Sequence, residues 1–180
     1  MYCLFGFFMV SGITTCFDRC LAKDATPLKV FLLVGQSNMQ GHAHIRTFEH
    51  IGMDSETVSL LSEMQDEQQQ PRKCENVWIS YLSTSGVKQG PLSVGFGASE
   101  EKIGPEYTFG IYMQKHLEEP ILMIKTAWGG KSLHTDFRSP TAGPYLFTEQ
   151  QKEGFAKQGK DFKQIKAERA RMTGLHYRLM

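Results

Sequence analysis

The sequence predicts an α/β protein built on a parallel sheet that is covered by helices on both faces. Three apolar runs, at residues 29–34, 77–82 and 121–126, have the length and composition of buried strands. A helical pattern separates the last two runs, as in proteins whose parallel strands alternate with helices. With 41% hydrophobic and 22% charged residues, the 180-residue chain has the composition of a globular domain.

The first predicted strand runs directly into the turn Gly35-Gln36-Ser37-Asn38. Glycine allows the backbone to turn sharply, and the turn falls at the carboxyl edge of the sheet, where open α/β sheets bind their ligands. This position suits Ser37 as a nucleophile. Two simpler interpretations remain open here, a serine in an ordinary loop and a serine whose hydroxyl caps a helix.

The next elements follow from periodicity and from turn residues. Val58, Leu61 and Met64 recur at helical spacing and predict a surface helix that begins near Ser55 and ends before Pro71. After the second strand, a turn over residues 83–86 leads to a short partner strand around residues 92–96.

The second half of the chain predicts two further helices. Residues 106–117 form the first, because Pro105 suits a first turn and Glu106 complements the positive end of the helix dipole. Residues 149–171, rich in Lys, Gln and Glu, predict one long exposed helix with the sparse apolar stripe Phe155, Phe162 and Ile165. The glycines at 154 and 159 weaken its first half.

Residues 1–22 predict a signal peptide, and therefore a secreted or periplasmic protein. Their apolar stretch is too short to span a bilayer, and Cys20-Leu21-Ala22 offers small residues before a cleavage site. A misannotated start and a buried N-terminal strand are the alternatives. Export would remove three of the four cysteines and leave Cys74 alone, so that no disulfide could form within residues 23–180.

Charge and motifs exclude several classes of function. A net charge of +1 provides no field for nucleic acid or for an anionic membrane. Gly129-Gly130-Lys131-Ser132 lacks the first glycine of a phosphate-binding loop, and no spacing of Cys and His suggests a metal site. We therefore expect no metal, no cofactor, no stable membrane span and a neutral or weakly charged substrate.

Three segments together carry a family resemblance. Residues 35–41, Gly-Gln-Ser-Asn-Met-Gln-Gly, resemble the first block of the SGNH hydrolases, in the branch of sialate O-acetylesterases and related carbohydrate acetylesterases. Residues 103–110, Ile-Gly-Pro-Glu-Tyr-Thr-Phe-Gly, resemble the second block, and residues 124–133 resemble the strand and glycine loop that follow it. The order of the three segments is also that of the family.

The resemblance implies a fold, a reaction and a set of site residues. The fold is the flavodoxin-like three-layer α/β/α arrangement, and the reaction is removal of O-acetyl groups from a carbohydrate. The implied nucleophile is Ser37, and the backbone N–H groups of Ser37 and Gly104 are the implied oxyanion donors. The residues expected to support the site are Gln36, Asn38, Glu106, Gly129 and Gly130.

The family pattern is incomplete in this chain. Neither the third block with its Asn nor the final Asp-x-x-His that supplies the catalytic base is present, so residues 23–180 correspond to the N-terminal part of an esterase domain that lacks its C-terminal portion. We therefore expect the 180-residue chain to turn over 4-nitrophenyl acetate negligibly. The alternative is a non-catalytic carbohydrate-binding protein that retains the sheet and the cleft.

The histidines offer no clear replacement for the missing base. His134, with Asp136 two residues later, is the best candidate by sequence, but it lies outside the family's pattern. His116 reads as a surface residue near the end of a helix, where its charge is favourable. His176 is too close to the last residue to be assigned. Trp128, Phe137 and Tyr145 fit either a wall that stacks on a sugar or the protein core.

Overall fold

A computed structural model describes residues 26–180, so the predicted signal peptide at residues 1–22 lies outside the described residues. In chain order, the elements are β1 Lys29–Gly35, α1 Ser37–Gln40, β2 Ala43–His44, α2 Thr47–Gly52, α3 Val58–Met64, β3 Cys74–Ser83, β4 Gly86–Leu92, β5 Lys102–Ile103, α4 Pro105–His116, β6 Ile121–Ala127, α5 Glu149–Lys157, α6 Phe162–Met172 and α7 Leu175–Leu179. A 3-10 turn, Pro140–Ala142, lies between β6 and α5.

The main sheet has four strands in the order β1-β6-β3-β4. The first three are parallel, with Phe31 opposite Met123 and Ile79 also opposite Met123, whereas β4 pairs antiparallel with β3 as a hairpin. The predicted α/β class, with a mostly parallel sheet and flanking helices, is confirmed. This topology places the carboxyl ends of β1 and β6 side by side, and residues of the predicted site follow both strands.

The core lies between α4 and one face of the sheet. Alternate residues of β3 and β6 point toward the helix, and Val77, Ile79 and Met123 are fully buried there. Tyr107 of α4 is also fully buried, and its hydroxyl donates to the carbonyl of Met64 at 2.7 Å, which ties α3 to the same layer. The apolar face predicted for the helix at residues 106–117 is therefore confirmed.

The opposite face of β1 is open among residues 26–180. Val30, Leu32 and Val34 point away from α4, and Leu32 keeps 70% of its surface exposed. Trp78 of β3 is half exposed. The second helical layer that the family resemblance implies does not cover these side chains within the described part of the chain.

Two predictions of element boundaries are wrong. The partner of the second strand is β4, directly after the turn, because Gly86 with a φ of +104° closes a tight hairpin. The predicted helix over residues 149–171 is two helices, α5 and α6, since Gly159 adopts a φ of +64° between them and the Asp161 side chain accepts from the Lys163 N–H to cap α6.

Two phenylalanines of the apolar stripe pack against Phe147, which lies just before α5. The ring of Phe147 lies 5.2 Å from that of Phe162 and 6.0 Å from that of Phe155, both nearly perpendicular to it. None of the helices in the described part of the chain is long and apolar enough to cross a membrane.

Candidate active site

Ser37 begins the single helical turn α1 at the carboxyl end of β1. The turn is closed by the Gln40 N–H, which donates to the Gln36 carbonyl at 2.7 Å. Gly35 is required for this geometry, because a Cβ there would lie 2.6 Å from the Cβ of Met39. Ser37 is half-buried, and no side-chain hydrogen bond caps α1, so the interpretation of Ser37 as a capping serine is not supported.

Gly104 brings the second motif into direct contact with the turn that carries Ser37. A Cβ on Gly41 would lie 2.3 Å from the Cα of Gly104, and a Cβ on Gly104 would lie 2.9 Å from the Cα of Gly41. Only two glycines facing each other allow the backbones to approach this closely. The structure therefore places Gly104 against Gly41, the residue that caps the turn of Ser37, while the oxyanion roles of Ser37 and Gly104 stay predictions.

The N–H of Gly104 has a partner inside the protein. It donates to Glu106 Oε1 at 2.8 Å. An oxyanion at this position would have to share or displace the Glu106 carboxylate.

A buried lysine joins the pieces of the site. Lys125 Nζ of β6 lies 2.6 Å from Glu106 Oε2 and donates to the carbonyls of Phe96 at 2.7 Å and Gln40 at 3.1 Å. It also lies 4.6 Å from the centre of the Tyr81 ring. Both charged side chains are fully buried. One ammonium group thus links the end of α1, the start of α4 and the loop around residue 96.

Burial opposes both charges of this pair. It raises the pKa of the Glu106 carboxyl and lowers the pKa of the Lys125 ammonium, because each charged group loses its hydration. The mutual attraction and the N–H of Gly104 act in the opposite direction. The hydrogen bonds satisfy the buried charges, which is the condition under which such a pair is tolerated.

The glycine loop after β6 closes the site on its other side. The Trp128 N–H donates to the Gly35 carbonyl at 3.3 Å, and a Cβ on Gly129 would lie 2.6 Å from Gln40 Oε1. Gly130 has a φ of +71° and turns the chain away from the sheet. Gly129 therefore lies beside the turn that carries Ser37, as predicted, while the side chains of Gln36 and Asn38 are exposed.

On the exposed surface, His44 Nε2 lies 3.0 Å from Glu101 Oε2. A second histidine near a carboxylate is His176, which sequence reasoning left unassigned. Its Nδ1 lies 3.7 Å from Asp136 Oδ1, and its ring packs edge-on against Trp128 at 4.9 Å. Burial lowers the pKa of His176, the nearby Lys131 lowers it further, and Asp136 opposes both effects. His134 instead packs its ring against Tyr145. Trp128 is buried and belongs to the core.

A comparison with protein families identifies the chain. A family model described as a carbohydrate esterase, sialic acid-specific acetylesterase, matches residues 27–167. The chain belongs to this esterase family. The match spans the Ser37 turn, Gly104, the Lys125–Glu106 pair and the glycine loop.

The comparisons with solved structures and with curated proteins give one weak structural similarity and no curated relative. A crystal structure of a protein from Arabidopsis thaliana is similar at 17% sequence identity and a TM-score of 0.33, over 75% of this chain and 54% of that one. This esterase-family chain therefore spans about half the length of the Arabidopsis protein. No curated protein matches the chain.

Sequence reasoning missed the lysine of this esterase-family site. Lys125 stands inside the apolar run at residues 121–126, and a charged residue in a buried strand requires an opposite charge nearby. That signal points to a partner without identifying it, since Glu106 lies 19 residues earlier in another element. Within residues 26–180, no group of His, Cys, Asp and Glu is arranged to hold a metal ion.

Proposed function

We propose that this protein is a carboxylic ester hydrolase that removes O-acetyl groups from carbohydrates, with Ser37 as its nucleophile. The observation that carries the proposal is the close contact between the turn of Ser37 and Gly104 at the carboxyl edge of the sheet. Membership of the carbohydrate esterase family supports the same reaction class.

The proposed reaction proceeds in two steps. Ser37 Oγ attacks the acetyl carbonyl carbon while a base takes the hydroxyl proton, and the tetrahedral intermediate then expels the sugar oxygen, which is protonated as it leaves. Water attacks the acetyl-serine in the second step and releases acetate, regenerating the Ser37 hydroxyl. Backbone N–H groups of Ser37 and Gly104 are the proposed oxyanion donors.

The oxyanion role of Gly104 requires a change at Glu106. Because the Gly104 N–H already donates to Glu106 Oε1 at 2.8 Å, the carboxylate would compete with the developing negative charge. We propose that the N–H is shared between the carboxylate and the oxyanion, and that the Lys125 ammonium offsets the repulsion between them.

The proposed mechanism needs a general base, and none of the described residues is placed to act as one on Ser37. A neutral serine hydroxyl is a weak nucleophile without an adjacent base. His176 is paired with Asp136, but it packs against Trp128, and no hydrogen bond joins a histidine to Ser37 Oγ among residues 26–180. We therefore expect slow or negligible turnover by the protein alone.

An added base tests the proposal. Acetate released from methyl tetra-O-acetylglucopyranoside is measured by NMR for the wild type and for Ser37→Ala, with and without imidazole. Without imidazole, we expect the two proteins to match. With imidazole as an external base, the wild type should exceed Ser37→Ala by at least about tenfold, because general-base catalysis contributes roughly 10²–10⁴-fold where geometry is favourable.

Each other outcome is also decisive. Equal rates with imidazole would show that Ser37 is not the nucleophile, and would favour the non-catalytic carbohydrate-binding protein. Turnover above Ser37→Ala without imidazole would show that the chain contains its own base, and a His176→Asn variant that lost this turnover would identify it.

We propose that the protein is exported through the predicted signal peptide at residues 1–22. The support is the short apolar run and the small residues that end at Ala22. N-terminal sequencing of protein recovered from the producing cells should begin at Lys23. A product that retains Met1 would contradict export by this route.

A further inference from the structure

A separate cleft of about 300 Å³ lies beside the site, between the β3–β4 hairpin and the loop over residues 95–100. Its wall includes Gln40, the last residue of the turn of Ser37, and Tyr81 of β3. Its volume is at the lower end of the range of about 300–1,000 Å³ that binds small molecules.

Hydroxyl and amide groups dominate the polar lining of this cleft. Ser83, Thr84 and Ser85 line the hairpin side, Ser99 lines the loop side, and Gln40 lies between them. The side chains of Thr84, Ser85, Ser99 and Gln40 can both donate and accept a hydrogen bond. The Ser83 hydroxyl already donates to the Gly86 carbonyl and accepts from the Ser85 N–H within the turn. A ligand with several hydroxyl or ester oxygens around a small ring matches such a surface.

The two charged residues of the lining neutralise each other. Lys88 Nζ lies 2.6 Å from Glu100 Oε2 and donates to the Gly95 carbonyl at 3.0 Å. An anionic ligand would therefore meet a lysine that is already paired, and would approach the Glu100 carboxylate as a like charge. Because the Lys88 and Glu100 charges are paired with each other, the cleft favours an uncharged ligand.

The position of Gln40 connects the cleft to Ser37. The two residues lie three positions apart in α1, and side chains at that spacing on a helix are neighbours with about 5–6 Å between their Cβ atoms. A sugar ring held against Gln40 could place an acetyl group on an adjacent oxygen near Ser37 Oγ.

From the lining, the charge pairing and this spacing, we infer that the cleft binds the ring of an uncharged O-acetylated sugar rather than an anionic one. The orientation of the sugar in this inference rests on the proposed function of Ser37. The binding of the sugar in the cleft does not depend on that function, because it is inferred from the lining and the charges of the cleft alone.

The test measures binding in the Ser37→Ala variant, so that hydrolysis plays no part in it. NMR titration compares methyl tetra-O-acetylglucopyranoside with 9-O-acetyl-N-acetylneuraminic acid. We expect the neutral sugar to bind more tightly and to shift the amide signals of residues 83–88 and 95–100. Tighter binding of the anionic sugar would overturn the inference.

Two further substitutions locate the site. Ser99→Trp places a bulky side chain at the mouth of the cleft and should weaken binding of the neutral sugar at least about fivefold. Its matched control is Ser55→Trp, because Ser55 is also exposed and does not line the cleft. Equal affinities of these two variants would contradict the assignment.

Glu100→Gln tests the charge argument separately. The Glu100 side chain is 83% exposed, so its substitution should leave the fold intact. Freeing Lys88 should raise the affinity for the anionic sugar about twofold to fivefold, the change that corresponds to an exposed ion pair. An unchanged preference would show that the Lys88–Glu100 pair does not select the ligand.

The binding proposal and the esterase proposal can fail separately. If the neutral sugar binds in the cleft but the protein with Ser37 releases no acetate in the presence of imidazole, the binding proposal is supported and the esterase proposal fails.

Discussion

At the scale of single residues, the site is organised by Lys125 rather than by Ser37. Its ammonium group contacts the carbonyl of Gln40, which ends the turn of Ser37, and the carboxylate of Glu106, which holds the Gly104 N–H. Because both charges are fully buried, each depends on the other for its stability. The positions of Ser37 and Gly104 therefore share one support.

Removing that lysine should be costly. Lys125→Met leaves the Glu106 carboxylate buried and unpaired, and we expect a loss of about 3–5 kcal/mol in the free energy of unfolding, measured by urea denaturation. Lys152→Met is the matched control, since Lys152 pairs with Glu149 on the exposed surface of α5 and should matter little.

A double variant separates the charge from the shape of the side chain. Glu106→Gln combined with Lys125→Met removes both charges and keeps an acceptor for the Gly104 N–H, so it should be more stable than Lys125→Met alone. A Lys125→Met protein as stable as the wild type would contradict the account of this pair.

Motifs with fixed spacing indicated that Ser37, Gly104 and Gly129 belong to one site, and the turn of Ser37 does lie against both glycines, while their roles in the reaction stay predictions. The sequence did not predict the role of Lys125, whose partner comes from another element and whose contacts are carbonyls. The pairing of His176 with Asp136 is equally invisible in the sequence, since it depends on the path of residues 137–175.

At the scale of elements, the approach of α4 to the sheet depends on Gly110. A Cβ at this position would lie 2.1 Å from Leu92 Cδ2 and 3.0 Å from Met123 Cε. The helix therefore packs closer to β4 and β6 than any larger residue would allow, and this approach sets the position of Glu106 at its first turn.

Alanine substitutions at two helical glycines should have opposite effects. Gly110→Ala forces overpacking in the core and should destabilise the protein by about 1–3 kcal/mol, despite the higher helix propensity of alanine. Gly154→Ala in α5 meets open space, so it should stabilise the protein by about 0.5–1 kcal/mol. Thermal unfolding measures both, and a neutral Gly110→Ala would contradict the close packing of α4.

The elements also show where periodicity fails as a guide. Strands β1, β3 and β6 and helix α4 were predicted to within a few residues, because each buries a regular apolar pattern. The helix predicted over residues 149–171 is two helices, since the left-handed backbone of Gly159 interrupts a pattern whose apolar residues are too sparse to reveal the break.

At the scale of the whole molecule, the sheet is covered on one side only within residues 26–180. Val30, Leu32, Val34 and Trp78 remain exposed on a face that parallel sheets normally bury. The sequence predicted the α/β class from its alternating strands and helices, but it could not show which face of the sheet this chain covers.

The central claim is that the turn at residues 35–38 places residue 37 to accept an acetyl group, and a thiol at that position tests it without a base. A cysteine is a competent nucleophile near neutral pH, so Ser37→Cys should take the acetyl group from 4-nitrophenyl acetate and keep it as a thioester. Ser139→Cys, next to the 3-10 turn Pro140–Ala142, is the control for an ordinary thiol.

Mass spectrometry of the tryptic peptide spanning residues 30–46, which contains no cysteine in the wild type, locates the acetyl group. The account predicts that Ser37→Cys is acetylated in this peptide at least about tenfold faster than Ser139→Cys is at its own thiol, because the oxyanion donors act only at the turn. Equal rates at the two thiols would contradict it.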